Sequence, residues 1–196
     1  DTRQGIKLRQ METLTVEPAE PVDADGKVHA EHHHGGKDPH IWLDPDLVKK
    51  QAQTICEALQ KADWARTSVY QQNLSDFHDA LDRLDNDIRE RLAGLEERTF
   101  MIFHPALGYF ADAYDLTQLA IEVEGKEPGP RTVVQVIRLA LQRNVKTIFV
   151  QQQFSQKSAR AIADALDARV VSINPLAEDY FVNMKQIAAA IAGEAQ

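Results

Sequence analysis

The sequence predicts an α/β protein in which a four-stranded parallel sheet is flanked by helices. From Thr99 onward, short apolar runs alternate with amphipathic stretches. This alternation is typical of parallel sheets with right-handed crossovers and helices on both faces. The predicted strands are 99–103, 117–123, 147–150 and 170–173. The predicted helices of this region are 106–113, 132–143, 155–166 and 179–192.

Two further helices are predicted before the sheet. The first begins at Asp44-Pro45, a capping carboxylate followed by proline at the first helical position, and continues to about Lys61. The second spans about 65–93, because apolar residues recur there at three- and four-residue intervals. Its apolar positions are Val69, Leu74, Phe77, Leu81, Leu84, Ile88 and Leu92. A polar helix of this length suits a rigid connector between two lobes, and 196 residues are enough for two small cores.

The first 37 residues show little periodicity. Segments 5–8 and 13–16 are predicted as short strands, and 17–37, rich in Pro, Asp, Gly and His, as an exposed loop. Cys56, the single cysteine, excludes an internal disulfide and a thiolate-rich metal cluster. It falls at an apolar position of the first helix, which favours a buried small side chain over a reactive thiol.

Composition narrows the class of partner. The net charge of −8 argues against nucleic acid, which needs a basic surface, and is compatible with a cationic ligand. No run approaches the roughly 18 apolar residues that span a bilayer, so no direct membrane insertion is expected. No signal peptide is visible, and a start at Asp1 rather than Met suggests a mature or truncated fragment.

Polar residues stand at the carboxyl ends of the four predicted strands, where ligands bind in open α/β sheets. They are His104, Glu122, Gln151 and Asn174. The sequence therefore predicts one polar crevice at this edge, although strand ends are often polar without any function. His104 follows an apolar strand, and neutral imidazole is a common ligand of zinc. A single histidine in such a place is also compatible with a structural role.

A second histidine strengthens the prediction of a metal site. His40 lies between two Asp-Pro steps, and each proline restricts the residue before it, so the imidazole is held in a stiff segment. Asp38 or Asp44 is expected to accept the other ring N–H of His40. His78, on the long helix, is expected to be a surface residue. No Gly-rich phosphate loop, nucleophile elbow or His-Glu-x-x-His helix is present, so no common hydrolase or NTPase motif is found.

Three segments together resemble one protein family. Segments 38–45 (DPHIWLDP), 104–110 (HPALGYF) and 122–128 (EVEGKEP) are similar to the zinc-specific substrate-binding proteins of ABC transporters, the cluster A-I metal receptors. The resemblance extends over the whole chain. It implies a non-enzymatic receptor that captures Zn²⁺ in the periplasm as transported ligand and delivers it to an ABC transporter membrane permease. It also implies that His40 and His104 are two of the metal ligands.

The resemblance further implies an organisation in two lobes joined by one long helix. Residues 1–64 correspond to the end of an N-terminal lobe, with a His-rich loop at 29–37 and the metal motif at 38–45. Residues 65–97 correspond to the linking helix and 98–196 to the C-terminal α/β lobe. The histidines of the loop are expected to gather or sense zinc, unless the loop is merely hydrophilic. They are His29, His32, His33 and His34.

The sequence departs from the family pattern in ways that leave alternatives open. The first ligand histidine of the family corresponds to a position before Asp1, so most of the N-terminal lobe has no counterpart and weak zinc binding is expected. Asn174 stands where relatives with a fourth protein ligand have aspartate, so water or three ligands would complete the site. Manganese-type relatives tend to have glutamate where this chain has His104, which favours zinc, although another divalent metal is an alternative.

An enzymatic alternative concerns the acidic segment after the second predicted strand. Glu122, Glu124 and Glu127 look like a catalytic acid cluster, but Gly125 and Pro128 favour a loop that supports the fold or contacts the permease. If the protein were instead a zinc-dependent hydrolase, Glu122 would be its general base.

Overall fold

The computed structural model describes residues 1–11, 36–122, 126–154 and 157–194. A short 3-10 turn at Ile41–Leu43 precedes the helices. The helices are α1 Pro45–Ala62, α2 Thr67–Leu92, α3 Gly108–Ala113, α4 Pro130–Gln142, α5 Lys157–Leu166 and α6 Tyr180–Ile191. The strands are β1 Thr99–Ile102, β2 Thr117–Ala120, β3 Thr147–Gln151 and β4 Arg169–Ile173.

The four strands form one parallel sheet in the order β2-β1-β3-β4, which confirms the predicted fold class. Successive side chains of β1 point to opposite faces, as the pleat requires. Phe100 and Ile102 pack in a core with α2, α3 and α6, whereas Met101 packs in a second core with α4 and α5. The sheet therefore has helices on both faces, and its central strands are apolar on both sides.

The turns between helices and strands follow a common pattern. After α3, α4 and α5, the chain enters the next strand through one residue with left-handed backbone, a conformation that Asn and Asp tolerate better than most residues. These residues are Asp115, Asn144 and Asp167, with φ of 53°, 50° and 51°. The helix–strand alternation predicted from the sequence is thus reproduced with bounds that differ by a few residues.

Helix α2 is divided into two parts by its surroundings. In its second half every predicted apolar position is buried against the sheet core and α6: Leu81, Leu84, Ile88 and Leu92. In its first half Val69 is exposed, as are Ile55 and Leu59 on the adjoining α1. The apolar stripe predicted for α2 is therefore fully buried only over the second half, and in the first half Phe77 packs partly buried against the same core. Cys56 is buried on α1, as predicted.

The N-terminal segment differs from the prediction. Residues 6–9 form no regular strand, and a single antiparallel bridge joins Gln10 to Lys37. The segment 5–8 has no partner strand in the described part of the chain, and backbone pairing begins only at Arg9, whose carbonyl accepts from the Asp38 N–H. The predicted strand at 13–16 lies outside the described residues, as does most of the predicted loop at 17–37. No helix in the described ranges combines the length and the apolar character needed to cross a membrane.

Candidate metal site

His40 is held by Asp38, a neighbour within its own segment. The Asp38 side chain is fully buried, and its Oδ1 lies 2.7 Å from His40 Nδ1 and accepts from the His40 backbone N–H at 2.9 Å. The other candidate, Asp44, caps α1 by accepting from Asp46 N–H at 2.8 Å and Leu47 N–H at 3.4 Å. Of the two aspartates predicted to contact the imidazole, Asp38 makes that contact.

His104 lies two residues after the end of β1 and is held by side chains at the ends of the neighbouring strands. Its Nδ1 lies 2.6 Å from Oε1 of Glu122, a residue that is only 5% exposed. The Gln151 side chain, from the end of β3, bonds the His104 backbone twice: Oε1 accepts from the N–H at 3.3 Å and Nε2 donates to the carbonyl at 2.5 Å. Phe154 stacks on the imidazole face with ring centroids 5.3 Å apart.

These contacts determine which nitrogen of each ring is available to a metal. An ionised carboxylate can only accept a hydrogen bond, so Nδ1 of His40 and of His104 must carry the proton. In the neutral imidazole, Nε2 then keeps its lone pair. A carboxylate on the opposite ring nitrogen is the usual support of a histidine that binds metal, because it fixes the tautomer and the ring orientation.

The two imidazoles lie next to each other. Their ring centroids are 5.3 Å apart with an interplanar angle of 73°, and both side chains are mostly but not fully buried, with 12% and 23% exposure. Trp42 packs against His40 at 5.3 Å and its indole N–H donates to the Pro175 carbonyl after β4. Two segments far apart in the chain thus contribute one accessible pair of imidazoles at the carboxyl edge of the sheet.

A comparison with known protein families agrees with this geometry. Residues 3–194 match the model of the family described as "Zinc-uptake complex component A periplasmic". The chain belongs to this zinc-uptake family.

Solved structures and curated sequences give the same picture. The chain is 38% identical to a chain described as the crystal structure of ZnuA, with a TM-score of 0.84 over 99% of this chain and 68% of that chain. It is also 38% identical to a zinc-bound ZnuA deletion mutant, with a TM-score of 0.82 over 100% of this chain and 69% of that one. The high-affinity zinc uptake system protein ZnuA of Bacillus subtilis is 30% identical over 71% of this chain and 44% of its own length. The chain spans 56–61% of the length of three other curated relatives.

The remaining predicted site residues of this zinc-uptake family member have other surroundings. Asn174 follows β4, and its Oδ1 accepts from Gln153 Nε2 and from the Leu176 N–H, both at 3.2 Å. Glu127 is exposed and accepts from the Ser158 hydroxyl. His78, predicted at the surface, is half-buried, with Nε2 3.3 Å from the Lys49 carbonyl oxygen. The candidates outside the described residues are Glu124, His29, His32, His33 and His34.

Across the ranges that the structure describes, no group of three or more His, Cys, Asp and Glu side chains is arranged to hold a metal ion. The described site therefore offers two imidazole donors. Asp38 and Glu122 each contact Nδ1 of one of these imidazoles.

The sequence did not predict the contact between Glu122 and His104. The sequence predicts both residues at strand ends, but it favours a loop role for Glu122, with a catalytic role as the alternative. The signal that could have revealed the pair is the strand order. Because β1 and β2 are parallel neighbours, with Ile102 opposite Ala120, the residues two positions further along each strand also lie side by side.

Proposed function

We propose that the protein is a receptor that captures Zn²⁺ in the periplasm and delivers it to an ABC permease. The observation that carries this proposal is the pair of imidazoles, 5.3 Å apart, whose Nδ1 atoms both contact buried carboxylates. This arrangement leaves two Nε2 donors directed by rigid supports, so little ordering entropy is lost when a metal binds.

Zinc is the metal that this donor set favours. Imidazole suits zinc, copper, nickel and iron, whereas carboxylate, carbonyl and water oxygens suit manganese. The carboxylates nearest to the two rings are already engaged with Nδ1 atoms. Related proteins are described as zinc-uptake components, and one related structure as zinc-bound, which agrees with this preference. Zinc takes four ligands in most sites, so water or residues beyond the described pair complete the shell.

Non-catalytic binding is favoured over the hydrolase alternative by the surroundings of Glu122. A general base must reach a water on the metal. Glu122 is buried and its Oε1 is directed at the Nδ1 of His104, the side of the ring opposite to the free nitrogen. Activating a water would require it to leave that contact. The proposed role of Glu122 is therefore to hold His104.

The proposal includes a division of the chain into three parts. Residues 1–64 would be the end of an N-terminal lobe, 65–97 the linking helix and 98–196 the C-terminal α/β lobe. The division is supported by α2, a helix of 26 residues that contacts both α1 and α6. The histidines at positions 29, 32, 33 and 34 would supply an auxiliary zinc-gathering loop.

Zinc titration of single-histidine variants tests the proposed function. His40→Ala and His104→Ala are each expected to weaken zinc binding by about 100-fold or more, because each removes a directly bonded donor. His78→Ala is the matched control, since it also removes a half-buried histidine and leaves the pair intact. Competition against a zinc-responsive chelator measures the dissociation constants, and circular dichroism checks folding. Unchanged affinity in both site variants, or zinc-dependent ester or peptide hydrolysis by the parent protein, would contradict the proposal.

A further inference from the structure

The backbone and side chain of Asp38 are held by residues remote in sequence. The Tyr109 hydroxyl, on α3, donates to the Asp38 carbonyl oxygen at 3.1 Å and accepts from the Arg9 backbone N–H at 2.9 Å. The Asp38 N–H donates to the Arg9 carbonyl at 3.0 Å. Burial raises the pKa of Tyr109 above its ordinary value, so the hydroxyl keeps the proton that it donates.

The side chain of Arg9 faces the buried carboxylate. Its Nη1 lies 3.7 Å from Asp38 Oδ2, its Nε lies 3.2 Å from Asp112 Oδ2, and its guanidinium lies 5.8 Å from the Tyr109 ring centroid. Only 16% of the Arg9 side chain is exposed. A positive charge beside a fully buried carboxylate offsets the cost of removing that charge from water.

Gly108 provides the space for this guanidinium. A Cβ atom at this position would lie 1.4 Å from Arg9 Nη1 and 2.9 Å from Asp38 Oδ2. Any larger residue would therefore force Arg9 away from the carboxylate. Gly108 begins α3 and its backbone is not in the left-handed region, so its small size rather than its conformational freedom is what the structure uses.

We propose that Arg9 and Tyr109, packed over Gly108, form a clamp that positions Asp38 and, through Asp38, fixes the tautomer and orientation of His40. These are positioning residues, because they contact the support of the imidazole and not the imidazole itself. The inference rests on the proposed function for its biological meaning. The tautomer and orientation of the His40 ring, however, can be measured in the metal-free protein.

The clamp reaches only one of the two histidines. His104 is supported by a separate set of residues, Glu122, Gln151 and Phe154. His104 is therefore an internal reference: damage to the clamp should change the His40 ring and leave the His104 ring as it was. A general loss of structure would change both.

Nitrogen-15 NMR of the histidine rings in the metal-free protein tests the clamp. At a pH above about 8, where ordinary imidazole is neutral, the parent is expected to show the Nδ1–H tautomer at both His40 and His104. Gly108→Ala, which adds a good helix former but displaces Arg9, is expected to give a mixed tautomer at His40 alone. Tyr109→Phe is expected to change His40 in the same direction and by less, because it removes one hydrogen bond and leaves the charge.

Two matched variants serve as controls. Gly94→Ala adds the same methyl group where nothing lies within 4 Å, and Tyr114→Phe removes a buried hydroxyl on the far end of α3, near Arg89. Neither should change the His40 tautomer. Zinc affinity should fall about 10-fold in Gly108→Ala and stay unchanged in both controls.

The outcomes separate this inference from the proposed function. If His40 keeps a pure Nδ1–H tautomer in Gly108→Ala and Tyr109→Phe, or if His104 changes equally, the clamp does not position His40 and the inference is wrong. If the tautomers respond as expected while the parent binds no zinc, the clamp stands and the proposed function fails.

Discussion

The supports of the two histidines are chemically alike but built differently. His104 is held by regular structure, because Glu122 and Gln151 come from strands that flank its own strand in the sheet. His40 is held within an irregular segment, where Asp38 is two residues away and is itself held by Arg9 and Tyr109. The regular structure of the sheet is enough to hold the His104 imidazole rigidly. The other imidazole needs proline, a buried ion pair and a tyrosine to reach the same constraint.

The difference predicts unequal effects when each carboxylate is removed. Asp38→Ala should lower the free energy of unfolding by about 3 kcal/mol, because it breaks a buried ion pair and removes the carboxylate that Arg9 Nη1 faces. Glu122→Ala should cost about 1 kcal/mol or less, because among the described residues its buried carboxylate contacts the His104 imidazole and no Lys or Arg, so no buried ion pair with a permanent charge is broken. Urea unfolding measures both values.

Zinc affinity should respond differently from stability. Both carboxylate variants should lose about 10- to 100-fold in zinc affinity, since each frees the tautomer of one ligand histidine. Equal destabilisation by the two substitutions would contradict this difference between the two supports, because it would mean that Arg9 contributes nothing specific to the support of Asp38.

A smaller effect on stability is expected at Asp44, in the second Asp-Pro step of the motif. Burial raises the pKa of Asp44 above its ordinary value, despite the hydrogen bonds from Asp46 and Leu47. The folded protein therefore binds this proton more readily than the unfolded chain, and the contribution of Asp44 to stability decreases as pH rises from about 4 to the raised pKa.

Asp44→Asn keeps a capping oxygen and cannot ionise, so its stability relative to the parent should increase over that pH interval. Asp44→Ala should cost about 1 kcal/mol at neutral pH through loss of the cap. Thermal unfolding from pH 3.5 to 7 measures both variants. A relative stability of Asp44→Asn that falls with increasing pH would contradict the raised pKa.

Local sequence patterns predicted the features that depend on short-range rules. The strand and helix alternation, the cap at Asp44 and the buried position of Cys56 all follow from residue spacing and propensity. The importance of His40 and His104 followed from their rigid contexts and from the family motifs. What the sequence could not reveal depends on which strands become neighbours and on contacts across long separations.

Particular residues show this limit. Arg9 and Tyr109 are 100 positions apart, and nothing local marks either as a partner of Asp38. Glu122 was seen as a strand-end residue, but its pairing with His104 requires the register of β1 and β2. Val69 fits the helical stripe as well as Leu81 does, yet only Leu81 is buried. The periodic pattern shows which face of the helix is apolar, but it does not show how much of that face other elements cover.

One zinc ion is expected to bind to Nε2 of His40 and to Nε2 of His104. Anomalous diffraction at the zinc absorption edge from crystals grown with Zn²⁺ tests it most directly. We expect one strong peak about 2.0–2.1 Å from both Nε2 atoms, with Asp38 and Glu122 still in contact with the Nδ1 atoms. A bound zinc that has neither imidazole among its ligands, or that contacts Nδ1 in place of the carboxylates, would contradict it.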